Sequence, residues 1–426
     1  MRCRRTSRIA RLRLAAGLGA LLVTAASGCG QPSSNRTTAT PTAIVATSPS
    51  VRASASPLAS ATATANPTVA SSGPWSIVTS APGLDLYGVT CVSADDCWAV
   101  GQGTGTLIEH DTGSGWSVVP SPNPPAASTN DMLQAVACAN AGDCWAVGTN
   151  AATGPPQALI EQNTGSGWSI LASPSPVGNQ QDELNGVTCV SVDDCWAVGY
   201  YTDSAGNQDT LTEQYTGSGW SIVESPNPPG SGIGGSLSAV TCAAADDCWA
   251  VGAYGGGGAT LGTLIEQYTG SGWTIVPGPG ASDRDGSQLN AVTCVSADEC
   301  WAVGYEQTGQ EPLIEQYSGA AWSIITSPDP RTDGDNALSG VTCPSAGDCW
   351  AVGGDNMTGD PENFIDQYTG TGWSLVASPE PSTGSRLAGV TCASSTACWA
   401  VGDSGVDTEV GLSRTTLVEQ YSQPSS

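Results

Sequence analysis

The sequence predicts an all-β chain: a seven-bladed β-propeller of four-stranded antiparallel blades, closed by an N-terminal strand and preceded by a signal peptide and a disordered linker. Three observations predict it. The motif Cys-x5-Cys-Trp-Ala-Val-Gly occurs at Cys91/Cys97, Cys138/Cys144, Cys189/Cys195, Cys242/Cys248, Cys294/Cys300, Cys343/Cys349 and Cys392/Cys398, in steps of 47, 51, 53, 52, 49 and 49 residues. A period near 50 is that of a radial or stacked array. A second tryptophan recurs at Trp75, Trp116, Trp168, Trp220, Trp273, Trp322 and Trp373, so that one copy precedes the first cysteine pair and the last repeat stops after Tyr421 without one. Finally, only 12% of the 426 residues are charged, whereas Gly and Pro number 54 and 28, a composition of many short strands and turns.

Taken in order, the chain begins with Arg2, Arg4, Arg5, Arg8, Arg11 and Arg13, an apolar run from Leu14 to Ala26, and Ala26-Ser27-Gly28-Cys29. A basic segment, a short apolar segment and small residues before a cut describe an export signal over residues 1–28. The run is too short for a comfortable membrane span. Small residues directly before a cysteine resemble the bacterial lipobox, which implies lipidation at Cys29; ordinary signal cleavage nearby is the alternative. Residues 29–73 are Ser, Thr, Ala and Pro with little else, too little apolar surface to offset the entropy of ordering a backbone. As a coil such a tether reaches roughly 35 to 40 Å.

From residue 74 to 426 each repeat reads as four strands. In the fifth these are Leu289 to Cys294, Cys300 to Gly304, Pro312 to Tyr317 and Trp322 to Ile325, each rich in Val, Ile, Thr, Trp or Tyr and bounded by Gly, Pro, Asp or Ser. The first two are apolar on both faces, as strands packed between neighbouring blades must be. A ring of blades avoids the exposed-edge problem of an open sheet of this size, because it leaves only short, protected edges. It also accounts for the one-strand offset of the tryptophans, since Trp75 to Val78 would complete the seventh blade beside Thr416 to Tyr421.

The order of a strand ending in Gly (Trp301-Ala302-Val303-Gly304), a strand ending in Tyr (Gln316-Tyr317) and a Trp strand (Trp322) resembles kelch and galactose-oxidase-like propellers. Most copies lack the kelch double glycine, which Gly353-Gly354 has, and all add the cysteine pair. The chain also resembles bacterial exported proteins built from Cys-Trp-Ala-Val-Gly repeats.

Each cysteine pair flanks a five-residue turn joining strands one and two, where cross-strand neighbours come within disulfide range, and export allows the bond. Closing so short a loop is worth about 2 kcal/mol. The alternative, a metal site, fails on spacing and on the absence of recurring histidine. Of the two remaining cysteines, Cys29 is the lipidation candidate and Cys3 falls in the signal. The turn acids Asp95-Asp96, Asp193-Asp194, Asp246-Asp247 and Asp298-Glu299 recur as turn residues. One carboxylate per third strand (Glu109, Glu161, Glu213, Glu266, Glu315, Asp366, Glu419) reads as scaffold, because catalysis needs an asymmetric set. His110 takes the slot that holds glutamine in the other six copies.

Function is expected where the copies differ. The connections from strand two to three and from strand four into the next blade vary widely and share one face of the disc. On that face the sequence places all four arginines of the domain, Arg284, Arg331, Arg386 and Arg414, together with Tyr87, Tyr200, Tyr201, Tyr254 and Tyr305. Tyrosine with arginine and carboxylate suits sugars or peptides, by stacking and bidentate bonding.

Composition narrows the chemistry. There is no lysine and one histidine, so no Schiff base, no Walker-type phosphate grip and no multi-histidine metal site. Residues 74–426 hold all 39 acids against four arginines, a formal charge of −35, which disfavours nucleic acid and anionic lipid as partners. The membrane is reached only through the lipid anchor. No catalytic set and no resident metal or cofactor is expected, although Asp333-Gly-Asp335-Asn336 and Asp355 to Asp360 offer oxygen ligands of the kind calcium takes. The leading reading is an extracytoplasmic, surface-tethered monomer that binds a carbohydrate or a cell-surface protein. A secreted glycan hydrolase or lyase with its site at the propeller axis is the alternative, and a purely structural surface protein is the third.

Overall fold

The computed structural model describes residues 73–422, apart from 82, 124–129, 152–153, 229–233, 256–261, 280–285, 307–310, 331–335, 356–361, 380, 382–383 and 409–410, and apart from the side chains of 406–408 and 411–413. The segments expected to be signal and tether, with Cys29, therefore lie outside the described residues, except for Gly73. What is described is β-structure throughout: seven separate four-stranded antiparallel sheets, six of them formed by consecutive strands. The seventh consists of Ser385–Ser394, Ala397–Thr408, Gly411–Ser422 and, at its outer edge, Trp75–Val78. There Trp75 pairs with Tyr421 and Val78 with Val418, so the first strand fastens to the last and the ring closes as the tryptophan offset predicts.

The first strand of each blade is innermost and the tryptophan strand outermost. Between blades the two tryptophan series interlock. Trp98 meets Trp168 of the next blade, Trp145 meets Trp220, Trp196 meets Trp273, Trp249 meets Trp322, Trp301 meets Trp373 and Trp350 meets Trp75, each edge to face with ring centroids 5.1 to 5.4 Å apart. This is the geometry that aromatic quadrupoles favour, and it places one such pair at six of the seven seams. Trp116 and Trp399 share the apolar cluster of the seventh.

All seven disulfides form as the spacing predicts: Cys91–Cys97, Cys138–Cys144, Cys189–Cys195, Cys242–Cys248, Cys294–Cys300, Cys343–Cys349 and Cys392–Cys398. Their setting corrects the sequence reading in two respects. The connection that they bridge is shorter than a five-residue turn. In the fifth blade the first two strands run Ser287–Ser296 and Glu299–Glu306, past the cysteines on one side and past Gly304 on the other. The extra length comes from a tight turn held by its own side chains, the Ser296 hydroxyl accepting from the Asp298 N–H, and from a bulge that takes up the odd residue.

The two cysteines of a pair are also not equivalent turn flanks. Cys97, Cys144, Cys195, Cys248, Cys300, Cys349 and Cys398 are fully buried core residues, whereas their partners are half-buried. The reason is the alternation of the second strand, which starts one residue before each of them. In the first blade Cys97 and Ala99 face the seventh blade, while Trp98 and Val100 face the second. In the same way Cys144, Cys195, Cys248, Cys300, Cys349 and Cys398 each lie in the apolar cluster shared with the preceding blade. Each bridge therefore ties the half-buried inner strand to the packed seam, and the buried sulfur serves as core as well as crosslink.

Candidate functional site

A second bulge, in the innermost strand, builds the site. In every blade the register slips between a buried leucine and the glycine or alanine two residues on, at Leu86/Gly88, Leu133/Ala135, Leu184/Gly186, Leu237/Ala239, Leu289/Ala291, Leu338/Gly340 and Leu387/Gly389. Two small residues make this possible. The small residue after the bulge lies against the neighbouring inner strand: a Cβ on Gly88 would sit 2.9 Å from the Ala135 Cα, and one on Gly186 equally close to Ala239. The glycine that ends Trp-Ala-Val-Gly lies under the bulge itself, where a Cβ would come within 1.9 to 2.1 Å of an inner-strand carbonyl oxygen in all seven blades.

The residue left over at each bulge lines the propeller axis. Tyr87, Gln134, Asn185, Ser238, Asn290, Ser339 and Ala388 ring an axial cavity of about 180 Å³ together with the Gly or Ala that follows each of them and, in six blades, the next Val. Two of the amides also bind blade to blade, Asn185 Nδ2 donating to the Leu237 carbonyl at 2.9 Å and Asn290 Nδ2 to that of Leu338 at 2.8 Å. The described lining has amides, hydroxyls and one tyrosine, and no carboxylate.

Above this neck, toward the variable face, lie the residues two positions earlier in the inner strands and their partners on the second strands. Asp85 pairs with Gln102, Glu183 with Tyr200, Gln288 with Tyr305 and Arg386 with Asp403. Two of these pairs connect downward to the neck. The Tyr87 hydroxyl donates to Gln102 Oε1 at 3.1 Å and reaches Asp85 Oδ2 at 3.4 Å; Gln288 Nε2 donates to Asn290 Oδ1 at 3.0 Å, and the Tyr305 hydroxyl reaches Gln288 at 3.5 Å. Tyr200 hydrogen-bonds Glu183. Burial raises the pKa of Tyr87 and Tyr200 above the usual phenol range, and the adjacent Asp85 and Glu183 raise it further, so both hydroxyls stay protonated donors.

Arg414 spans the seam between the seventh blade and the first. Its Nη1 lies 3.4 Å from Asp85 Oδ1 and its Nε 3.7 Å from Asp403 Oδ2. Arg386 shares a face with Asp403 through the strand register, while its stem packs over Gly354 of the sixth blade. Both arginines belong to strands rather than loops, as do all five tyrosines, because the strands run beyond the apolar segments that mark them in the sequence.

The predicted residues thus divide. Tyr87 lines the axial cavity, and Tyr200, Tyr305, Arg386 and Arg414 lie at the strand ends above it. Tyr201, the next residue along from Tyr200, turns to the other side of its sheet, bonds Asp209 and lines a separate hollow of about 280 Å³ with Pro176, Thr210 and Glu224. Tyr254 folds over Gly262 in its own blade. Arg284 and Arg331 lie outside the described residues, as do the acid-rich loops except Asn336 and Asp355, whose side chains bond Asp329 and the Glu362 N–H. Among the described residues no group of three or more His, Cys, Asp or Glu is arranged to hold a metal. Sequence reasoning missed Asp85, Gln102, Glu183, Gln288 and Asp403, and six of the seven neck residues. A signal for the neck was present, namely one position that varies inside an otherwise constant Leu-x-(Gly/Ala)-Val.

The fold is that of a β-propeller whose axial mouth is built as a recess of polar and aromatic groups. No protein-family profile matches the chain, and no curated protein matches it. Among solved structures it is similar to YCF48 bound to D1 peptide (12% identity, TM-score 0.51, covering 82% of this chain and 97% of that one). It is also similar to YCF48 from Cyanidioschyzon merolae (15% identity, TM-score 0.50, covering 82% and 98%). At such identities the likeness shows the fold alone, that of a β-propeller.

Proposed function

We propose that the chain is an extracytoplasmic binding module, tethered through Cys29, that holds a protein segment or a carbohydrate at the axis mouth on its variable face. One observation carries this. Within the otherwise constant Leu-x-(Gly/Ala)-Val of the inner strands, the position at which the seven copies differ is the one that lines the axial cavity, and the strand ends above it carry two tyrosines, three carboxylates and two arginines. A purely structural ring has no need of such variation at its axis. A glycan hydrolase needs two facing carboxylates roughly 5 to 9.5 Å apart; the carboxylates of this mouth are engaged by neighbours instead, Asp85 and Asp403 by Arg414 and Glu183 by Tyr200. The solved propeller of similar architecture that carries a peptide, YCF48 with D1 peptide, supports this class of activity. Seven disulfides support an oxidising compartment.

The test is a glycan array and a cell-surface extract capture with the purified chain, run beside Ala388→Tyr and beside polysaccharide-degradation assays. Tyrosine is tolerated at the equivalent bulge in the first blade, so this variant should keep its melting temperature, fill the neck and lose the captured ligand. Capture unchanged by Ala388→Tyr, or degradation of a polysaccharide, would refute the reading.

A further inference from the structure

The charge of the mouth selects its ligand. The two described arginines share a sector with two aspartates: Arg414 lies between Asp85 and Asp403, and Arg386 lies beside Asp403 with its stem on Gly354. That sector is balanced and offers an anion no net charge. Across the mouth, in the third blade, Glu183 stands with Tyr200. Tyr305 adds a further ring at the same level and Tyr87 one from the neck below, and the surrounding domain carries −35. Aromatic faces beside a carboxylate attract a cation, by the ring quadrupole and by direct pairing.

Size narrows it further. A cavity of about 180 Å³ is well below the roughly 300 to 1,000 Å³ of pockets that enclose whole small-molecule ligands. It has room for one long side chain, and a neck of amides and hydroxyls accepts hydrogen bonds from several directions, as a guanidinium or ammonium head requires.

We propose that the axis mouth takes a single arginine or lysine side chain of a basic protein segment, its stem passing Tyr87, Tyr200 and Tyr305 and its charged head meeting Glu183 and the neck amides. This rests on the mouth being the binding site. Long-range attraction between the acidic disc and a basic partner would speed the encounter, and the neck would supply the selectivity.

The probe is the pentapeptide acetyl-Gly-Gly-Arg-Gly-Gly-amide, with lysine, citrulline and glutamate versions, titrated calorimetrically into the full chain at low and at moderate salt. The arginine and lysine peptides should bind at least tenfold more tightly than the citrulline and glutamate ones. Glu183→Gln should weaken the arginine peptide at least tenfold, whereas Asp298→Asn, which removes an exposed acid from the opposite face, should leave it unchanged. Equal binding of arginine and citrulline, equal losses in the two variants, or no binding of the arginine peptide would overturn the proposal. If Ala388→Tyr still abolished capture of another ligand, the binding module would stand and only its cation preference would fall. If Ala388→Tyr changed nothing, both would fall.

Discussion

At the scale of single residues, the buried carboxylates show what the repeat demands and where it is imperfect. All seven third-strand acids are fully buried, one at each seam. The connection leaving the previous blade meets them with a serine: Ser121 on Glu161, Ser173 on Glu213, Ser225 on Glu266 and Ser378 on Glu419, at 2.7 to 3.2 Å. Glu109 accepts instead from the Ala81 N–H at 3.2 Å, and Gly278 takes the serine position before Glu315. Asp366 is one methylene shorter than the rest. Ser327 bonds the Pro328 carbonyl, and both Asp366 oxygens are buried without a hydrogen-bond partner. Asp366→Glu should restore the reach, and removing a buried unsatisfied acceptor in this way is worth about 1 kcal/mol. Urea melts of the variant should show a higher midpoint at constant slope; a lower midpoint would mean that this seam has closed around the shorter side chain. His110 illustrates a substitution that the repeat absorbs. Its Nε2 lies 2.8 Å from Asp96 Oδ1, the same bond that Gln162, Gln214 and Gln267 make to Asp143, Asp194 and Asp247.

At the scale of the strand, the inner bulge decides both stability and site, and it explains what could and could not be read from the sequence. The blade count, the disulfides, the closing strand and the variable face were legible because each is written seven times, or conspicuously missing once. The serine that meets each buried carboxylate was not, since its partner sits some 40 residues away in the next blade. Nor were Asp85, Glu183 and Asp403. They flank the apolar segments that define strands in a sequence, and only the bulge, which depends on close backbone contact, turns that level toward the axis. The constant glycine is the part of this device that can be tested directly. In Gly304→Ala the new Cβ would fall 1.9 Å from the Gln288 carbonyl oxygen. Backbone has to move to relieve it, so the loss should reach at least about 3 kcal/mol, the upper end of overpacking penalties. Thermal and denaturant melts measure it. A loss under about 1 kcal/mol would show that the bulge can slide, and the neck would then be a poor place for a selective site.

At the scale of the whole molecule, charge and burial combine into one pH dependence. Burial is the leading cause that pushes Glu109, Glu161, Glu266 and Asp366 up to about 7 and Glu213 up to about 8, partly offset at the first three and at Glu213 by their hydrogen-bond donors. In the unfolded chain these groups titrate near their ordinary values of 3.8 and 4.5. Between about pH 4.5 and 8 the native state therefore binds more protons than the unfolded state, and stability falls as pH rises through that window. Repulsion among the 39 acids acts in the same direction. Salt separates the two causes, because exposed charges are screened over about 10 Å at 0.1 M and about 3 Å at 1 M, while buried groups are screened much less. The melting temperature should be higher at pH 5 than at pH 8, and part of the difference should persist at 1 M salt. That persistent part should shrink in Glu213→Gln, which cannot ionise. A melting temperature that rises from pH 5 to pH 8 would mean that the seam carboxylates are charged in the native ring, held by their serines as anions rather than as neutral acids.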